Sequence, residues 1–141
     1  MEIVIPAVNW LSVLPLLVLC TTALLALFWD IWIKDDDRPL LAWLSLTGLG
    51  LAGLASFLLW GQTDLTSFNG MFALDSYALF FNLFFCVVAG TVVLMSLRYL
   101  ELAGIKHGEY YSLVMFATVG MVVMAAATNL IFIFLGLETM S

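Results

Sequence analysis

Trp10-Leu11-Ser12-Val13-Leu14-Pro15-Leu16-Leu17-Val18-Leu19-Cys20-Thr21-Thr22-Ala23-Leu24-Leu25-Ala26-Leu27-Phe28-Trp29-Asp30-Ile31-Trp32 is apolar almost from end to end. About 20 such residues, wound as an α-helix, cross the roughly 30 Å of hydrocarbon in a bilayer. A backbone in lipid must satisfy its own hydrogen bonds, so a spanning segment is either a helix or a strand of a closed barrel. Barrel strands alternate apolar and polar residues. The run Leu14 to Leu19 does not alternate, and neither does Leu79 to Phe85. The stretch therefore reads as a membrane-spanning helix over residues 10–32, with Pro6 and Pro15 near its start and Trp10 and Trp32 at its ends, where aromatic belts form.

Working outward, the same reading repeats. The loop Lys34-Asp35-Asp36-Asp37-Arg38-Pro39 stops the first segment. A second follows over 40–60, with Pro39 at a position that helix starts tolerate and Trp60 at its far end. Gly61 to Asn69 is a polar connection. A third segment covers 75–98, with Asp75 and Ser76 as candidate caps. After a mixed loop from Arg98 to Glu109 comes a fourth segment over 110–127. Thr128-Asn129 is a short break, and a fifth segment runs from Leu130 to Ser141. That last piece holds only about 18 Å of helix at 1.5 Å per residue, too little to span. The expected architecture is an all-α polytopic membrane helix bundle of four complete spans plus a truncated fifth.

Composition agrees. Hydrophobic residues make up 65% of the 141 and charged residues 10%, with a mean hydropathy of +1.15. Soluble domains are about half apolar and a quarter charged, so this chain lacks the polar surface to cover a globule in water. A net charge of −6 argues against nucleic acid as a partner. Cys20 and Cys86 both sit within apolar runs and read as packing residues. Glu2, and the lack of a basic residue before the first apolar run, make a cleaved signal peptide a poor reading. Lys34, Arg38, Arg98 and Lys106 fall between segments one and two or three and four. By the positive-inside rule both connections face the cytoplasm and the N-terminus lies outside.

Few motifs carry chemistry. Gly48-Leu49-Gly50-Leu51-Ala52-Gly53 matches a dinucleotide fingerprint, but that motif works only between a strand and a helix. Inside an apolar segment it reads as a small-residue face for close helix packing, continued by Ala52 and Ser56. Asp35-Asp36-Asp37 offers too few converging ligands for a metal site and reads as a solvated loop, as does the single histidine, His107. No metal site is expected.

Glu138 is different. It lies eight residues into the fifth segment, about 12 Å along a helix, which approaches the membrane midplane if the full segment spans. A charge there costs about 2.5–3.5 kcal/mol on insertion scales. Low dielectric favours the neutral carboxyl unless a cation is near, and a group so balanced suits a proton relay. A frayed, polar chain end accounts for the same residue, and from the physics of one side chain both readings stand. Asn129 reads as the helix cap, so Glu138 is not itself a capping acid. Gly136, two residues earlier, is expected to leave space for a water or a partner side chain.

Gly108-Glu109-Tyr110-Tyr111-Ser112-Leu113, Phe116-Ala117-Thr118-Val119-Gly120-Met121, Met124-Ala125-Ala126-Ala127-Thr128-Asn129-Leu130 and Phe134-Leu135-Gly136-Leu137-Glu138 together resemble the fourth and fifth helices of N-type, antiporter-like subunits of bacterial NADH:quinone oxidoreductase (complex I). The resemblance runs continuously over residues 108–141, while the three earlier helices match in layout. It implies that residues 1–141 form the N-terminal part of one antiporter-like transmembrane domain of fourteen helices. It also implies a multi-pass protein of the inner (plasma) membrane, whose neighbours are other subunits of the complex, especially other antiporter-like ones. Glu138 occupies the position of the family's proton-channel glutamate, which pairs with lysines on later helices. NADH, flavin, iron–sulfur clusters and quinone belong to partner subunits, and this subunit binds no cofactor itself.

Two rival readings share these observations. Membrane subunits of multisubunit cation/proton antiporters and of membrane-bound hydrogenases have the same helix layout and glutamate, although Gly108-Glu109-Tyr110-Tyr111 favours the N-type subunit. A small membrane scaffold without transport is the other.

Overall fold

The structure is a computed structural model and describes residues 8–33, 39–62, 65–104 and 107–141. Asn9 opens helix α1 (Trp10–Trp32), its side-chain oxygen accepting from the Leu11 N–H at 3.3 Å. Helix α2 (Pro39–Leu58) begins on Pro39 and ends in a single tighter turn, Leu59–Gly61. Asp75 caps α3 (Ser76–Ala103) by accepting from Ala78 N–H at 2.8 Å. Helix α4 (Glu109–Ala126) follows, then α5 (Leu130–Met140), whose cap Asn129 accepts from Ile131 N–H at 3.3 Å. The cap assignments of Asp75 and Asn129 hold, and α1 to α4 are each long and apolar enough to cross a membrane.

Two expectations need correction. The third helix does not stop at residue 98 but runs to Ala103. Nothing between Arg98 and Ala103 breaks a helix, and exposed Arg98 reaches outward on its own stem. The helix ends where Gly104 takes a left-handed φ of 66°, a conformation glycine adopts without steric cost. The stretch Gly61 to Asn69 is not plain loop. Strand β1 (Leu65–Ser67) pairs antiparallel with β2 (Phe72–Leu74), with Leu65 opposite Leu74 and Ser67 opposite Phe72. Phe68 and Asn69, at φ 54° and 55°, and Gly70, at φ 82°, make the reversal.

Helices α1 to α4 close a ring, each packed on its neighbours, and α5 leans on α4. Side-chain size is distributed in the way lipid favours. The interior is rich in Ala23, Ala26, Ala42, Ala52 and Ala89, and in Ser45, Ser56 and Thr118. The outside carries Leu25, Phe28, Trp32, Leu58, Met95 and Leu102. Lipid gives no hydrophobic force between helices, so close backbone approach and van der Waals contact must hold them. Gly48 shows how: a Cβ there would fall 2.6–2.7 Å from the Thr22 side chain, so the small-residue reading holds at this position, whereas Gly53 makes only ordinary contacts and a Cβ on Gly50 would meet nothing within 4 Å. Several buried hydroxyls are satisfied within their own helices, as in Ser45 to Leu41 O and Ser56 to Ala52 O, both at 2.9 Å.

The two ends of the ring differ. At one, the hairpin seals the bundle over a second apolar cluster of Leu59, Phe72, Leu74, Ala78, Leu79 and Ala126. Ser67 accepts from the Asn9 N–H at 2.7 Å and from the Ser12 hydroxyl at 2.9 Å, tying the hairpin to the start of α1. At the other end Asp30, Leu41 and Gly108 meet. Lys34, Arg38, Lys106 and the Asp35-Asp36-Asp37 run lie outside the described residues, but the described ends that flank them share this one end of the bundle.

Candidate functional site: a carboxylate within the fifth helix

Glu138 lies on α5, eight residues from its first residue Leu130, or about 12 Å along the axis. The buried residue of α5 is Gly136, which faces α4. Two residues further along a helix turn the side chain by about 200°. Glu138 accordingly points away from α4 and is exposed on this chain, among exposed Phe134, Leu135 and Leu137. The carboxylate is thus on the outer face of the bundle, not inside the ring. Arg98, the one Lys or Arg among the described residues, stands on α3 five residues before Ala103.

Three features hold α5, and with it Glu138, in place. The first is glycine packing. A Cβ on Gly136 would stand 2.6 Å from Met124 Cγ, 2.8 Å from Gly120 O and 3.0 Å from Met124 N. A Cβ on Gly120 would stand 2.6 Å from Gly136 O and 2.7 Å from Met140 N. The space expected beside Gly136 is therefore filled by the backbone of α4, and no water or partner side chain fits there. The reason is reciprocal: two glycines opposite one another let two backbones touch, and the gap closes. The second feature is the Asn129 cap. The third is the hairpin, which grips the short break before α5. Thr128 N–H donates to Met71 O at 3.0 Å, the Thr128 hydroxyl donates to Gly70 O, and Phe72 forms a bridge with Ala127. Phe132 of α5 packs its ring against Phe68 and Phe72 at centroid distances of 5.6 and 6.4 Å.

Sequence reasoning missed Gly120 and Thr128 as supports. In the sequence Gly120 stands only within the stretch that carries the family resemblance, and Thr128 only as part of a break. The other candidates behave as solvated or packing groups: His107 is exposed, and Cys86 is buried beside Gly53.

Fold and site together define a polytopic membrane protein: four membrane-length helices in a ring, and a fifth that presents a carboxylate part-way through. No protein-family model matches the chain. The similarity expected from residues 108–141 does, however, extend over nearly its whole length, and it is to NADH-quinone oxidoreductase subunit N. The chain is 43% identical over 141 residues to that subunit of Chloroflexus aggregans, covering 99% of this chain and 29% of the relative. It is 40% identical over 134 residues to that of Trichlorobacter lovleyi, covering 95% and 27%. For Dehalococcoides mccartyi the identity is 42% over 125 residues, covering 89% and 26%. The chain thus spans a little over a quarter of the length of these curated relatives.

Proposed function

We propose that this chain is part of a membrane-arm subunit of an NADH:quinone oxidoreductase, and that Glu138 lies in the path by which electron transfer drives protons across the membrane. Glu138's position carries the reading: an acid about 12 Å into an apolar helix, facing away from the helix that supports it. Left against lipid it would cost about 2.5–3.5 kcal/mol. A polar or basic partner, or confined water, must cover that face, and a carboxylate so placed changes proton affinity as a neighbouring charge moves. The name borne by the relatives supports the same reading.

The remainder of the proposal follows from it. Redox chemistry, with flavin, iron–sulfur clusters and quinone, takes place in other subunits, and this one binds no cofactor. Its partners are the other subunits of the complex, neighbouring antiporter-like ones above all. Its place is the inner (plasma) membrane, with the N-terminus outside. The chain is not active alone.

The test is Glu138→Gln in the full-length protein within its complex, in inverted membrane vesicles. NADH:quinone turnover and acidification of the lumen are followed together. The expected result is a marked loss of acidification per electron transferred. Acidification equal to that of the parent at equal turnover would leave a membrane scaffold as the better reading.

A further inference from the structure

The end of the bundle away from the hairpin holds two buried oxygens without hydrogen-bond partners among the described residues, Asp30 Oδ1 on α1 and Ser112 Oγ on α4. Ser112 is 1% exposed. In a membrane bundle a hydroxyl usually turns back to its own helix, as Ser45, Ser56 and Thr118 do here. Ser112 does not, so its hydroxyl is free for another partner.

The two oxygens are brought together by Gly108. A Cβ on this residue would land on Asp30 Oδ1, 2.6 Å from Asp30 Cγ and 2.7 Å from Leu41 Cδ1. The Asp30 carboxylate therefore occupies the place of the missing side chain. Gly108 has helical angles, φ −67° and ψ −28°, and Ser112 is four residues on. Residues four apart on a helix carry Cβ atoms about 5–6 Å apart on one face. Asp30 Oδ1 and Ser112 Oγ are thus set against the same face of α4, one turn apart, without a hydrogen bond between them.

We propose that Asp30 and Ser112 hold a single bridging water between α1 and α4. The water donates to the carboxylate oxygen and shares a second hydrogen bond with the hydroxyl. This gives it the two polar partners that a buried water needs at minimum, and it satisfies two buried groups that are otherwise expensive to leave bare. Gly108 is required because any side chain would displace the carboxylate. The inference concerns the packing of α1 on α4 and stands apart from the role given to Glu138.

The test uses the full-length protein with its natural partner subunits. Electron cryo-microscopy at a resolution that shows ordered water should place one within hydrogen-bond reach of both oxygens, and Ser112→Ala should remove it. Thermal unfolding of Ser112→Ala, Asp30→Ala and the double variant should show each single change lowering the midpoint, and the pair lowering it by less than the two shifts combined. Three results would overturn the inference. One is a direct Asp30–Ser112 bond, or a basic side chain seated on Asp30 instead of water. Another is shifts that simply add. The third is a Ser112→Ala protein that melts higher than the parent, as expected when a bare buried hydroxyl is removed.

Discussion

Gly136→Ala tests how α5 is held. In the parent, a Cβ at Gly136 would stand 2.8 Å from Gly120 O, 3.0 Å from Met124 N and 2.6 Å from Met124 Cγ, where ordinary contact begins at 3.4 Å. The Met124 side chain can swing aside, but the carbonyl and amide cannot. Helix α5 must therefore back away from α4 by about half an ångström. Overpacking of this kind costs about 1–3 kcal/mol, against which alanine returns up to about 1 kcal/mol of helix propensity. Gly50→Ala is the matched control, because its Cβ would meet nothing within 4 Å, and it should gain the propensity alone. The difference between the two variants isolates the steric term at about 1–3 kcal/mol. Chemical or thermal unfolding of the full-length protein in one detergent or nanodisc reads this difference. Equal shifts for the two variants would refute the reciprocal glycine contact.

Other substitutions probe the supports of α5 and the helix ends. Thr128→Val removes the hydroxyl bond to Gly70 O but keeps the backbone bond to Met71 O; unfolding measurements should show a loss of about 0.5–1.5 kcal/mol. Asp75→Ala deletes the cap on Ala78 N–H, with an expected loss of about 0.5–2 kcal/mol that Asp75→Ser largely recovers. Amide hydrogen exchange should place that loss in the first turn of α3.

The helices were legible because length and apolarity nearly dictate them in a membrane. Even Asn9, Asp75 and Asn129 stand where chain meets helix, and Asp75 and Asn129 could be assigned as caps from sequence. The end of α3 was misplaced because Arg98 reads as the edge of an apolar run, whereas a helix stops for backbone reasons, here at Gly104. The hairpin was hidden because its strands are three residues long, too short for alternation to register. Its turn relies on positive φ at Phe68 and Asn69 as well as at Gly70, and Phe68 in particular gives no warning of it. Glu138 was visible as a charge in an apolar segment, but its direction was not. That depends on which face of α5 meets α4, and the pairing of Gly136 with Gly120 is a fact of tertiary packing. The bond of Thr128 to a hairpin 58 residues earlier is likewise beyond any local pattern.

Infrared difference spectroscopy during turnover of the full-length complex examines the Glu138 carboxyl itself. A protonated-carboxyl C=O band that appears and disappears with turnover, and that is missing from Glu138→Gln, is the expected outcome. Spectra of parent and variant that coincide, with Glu138 a permanently ionised carboxylate in bulk water, would contradict a proton path through this residue.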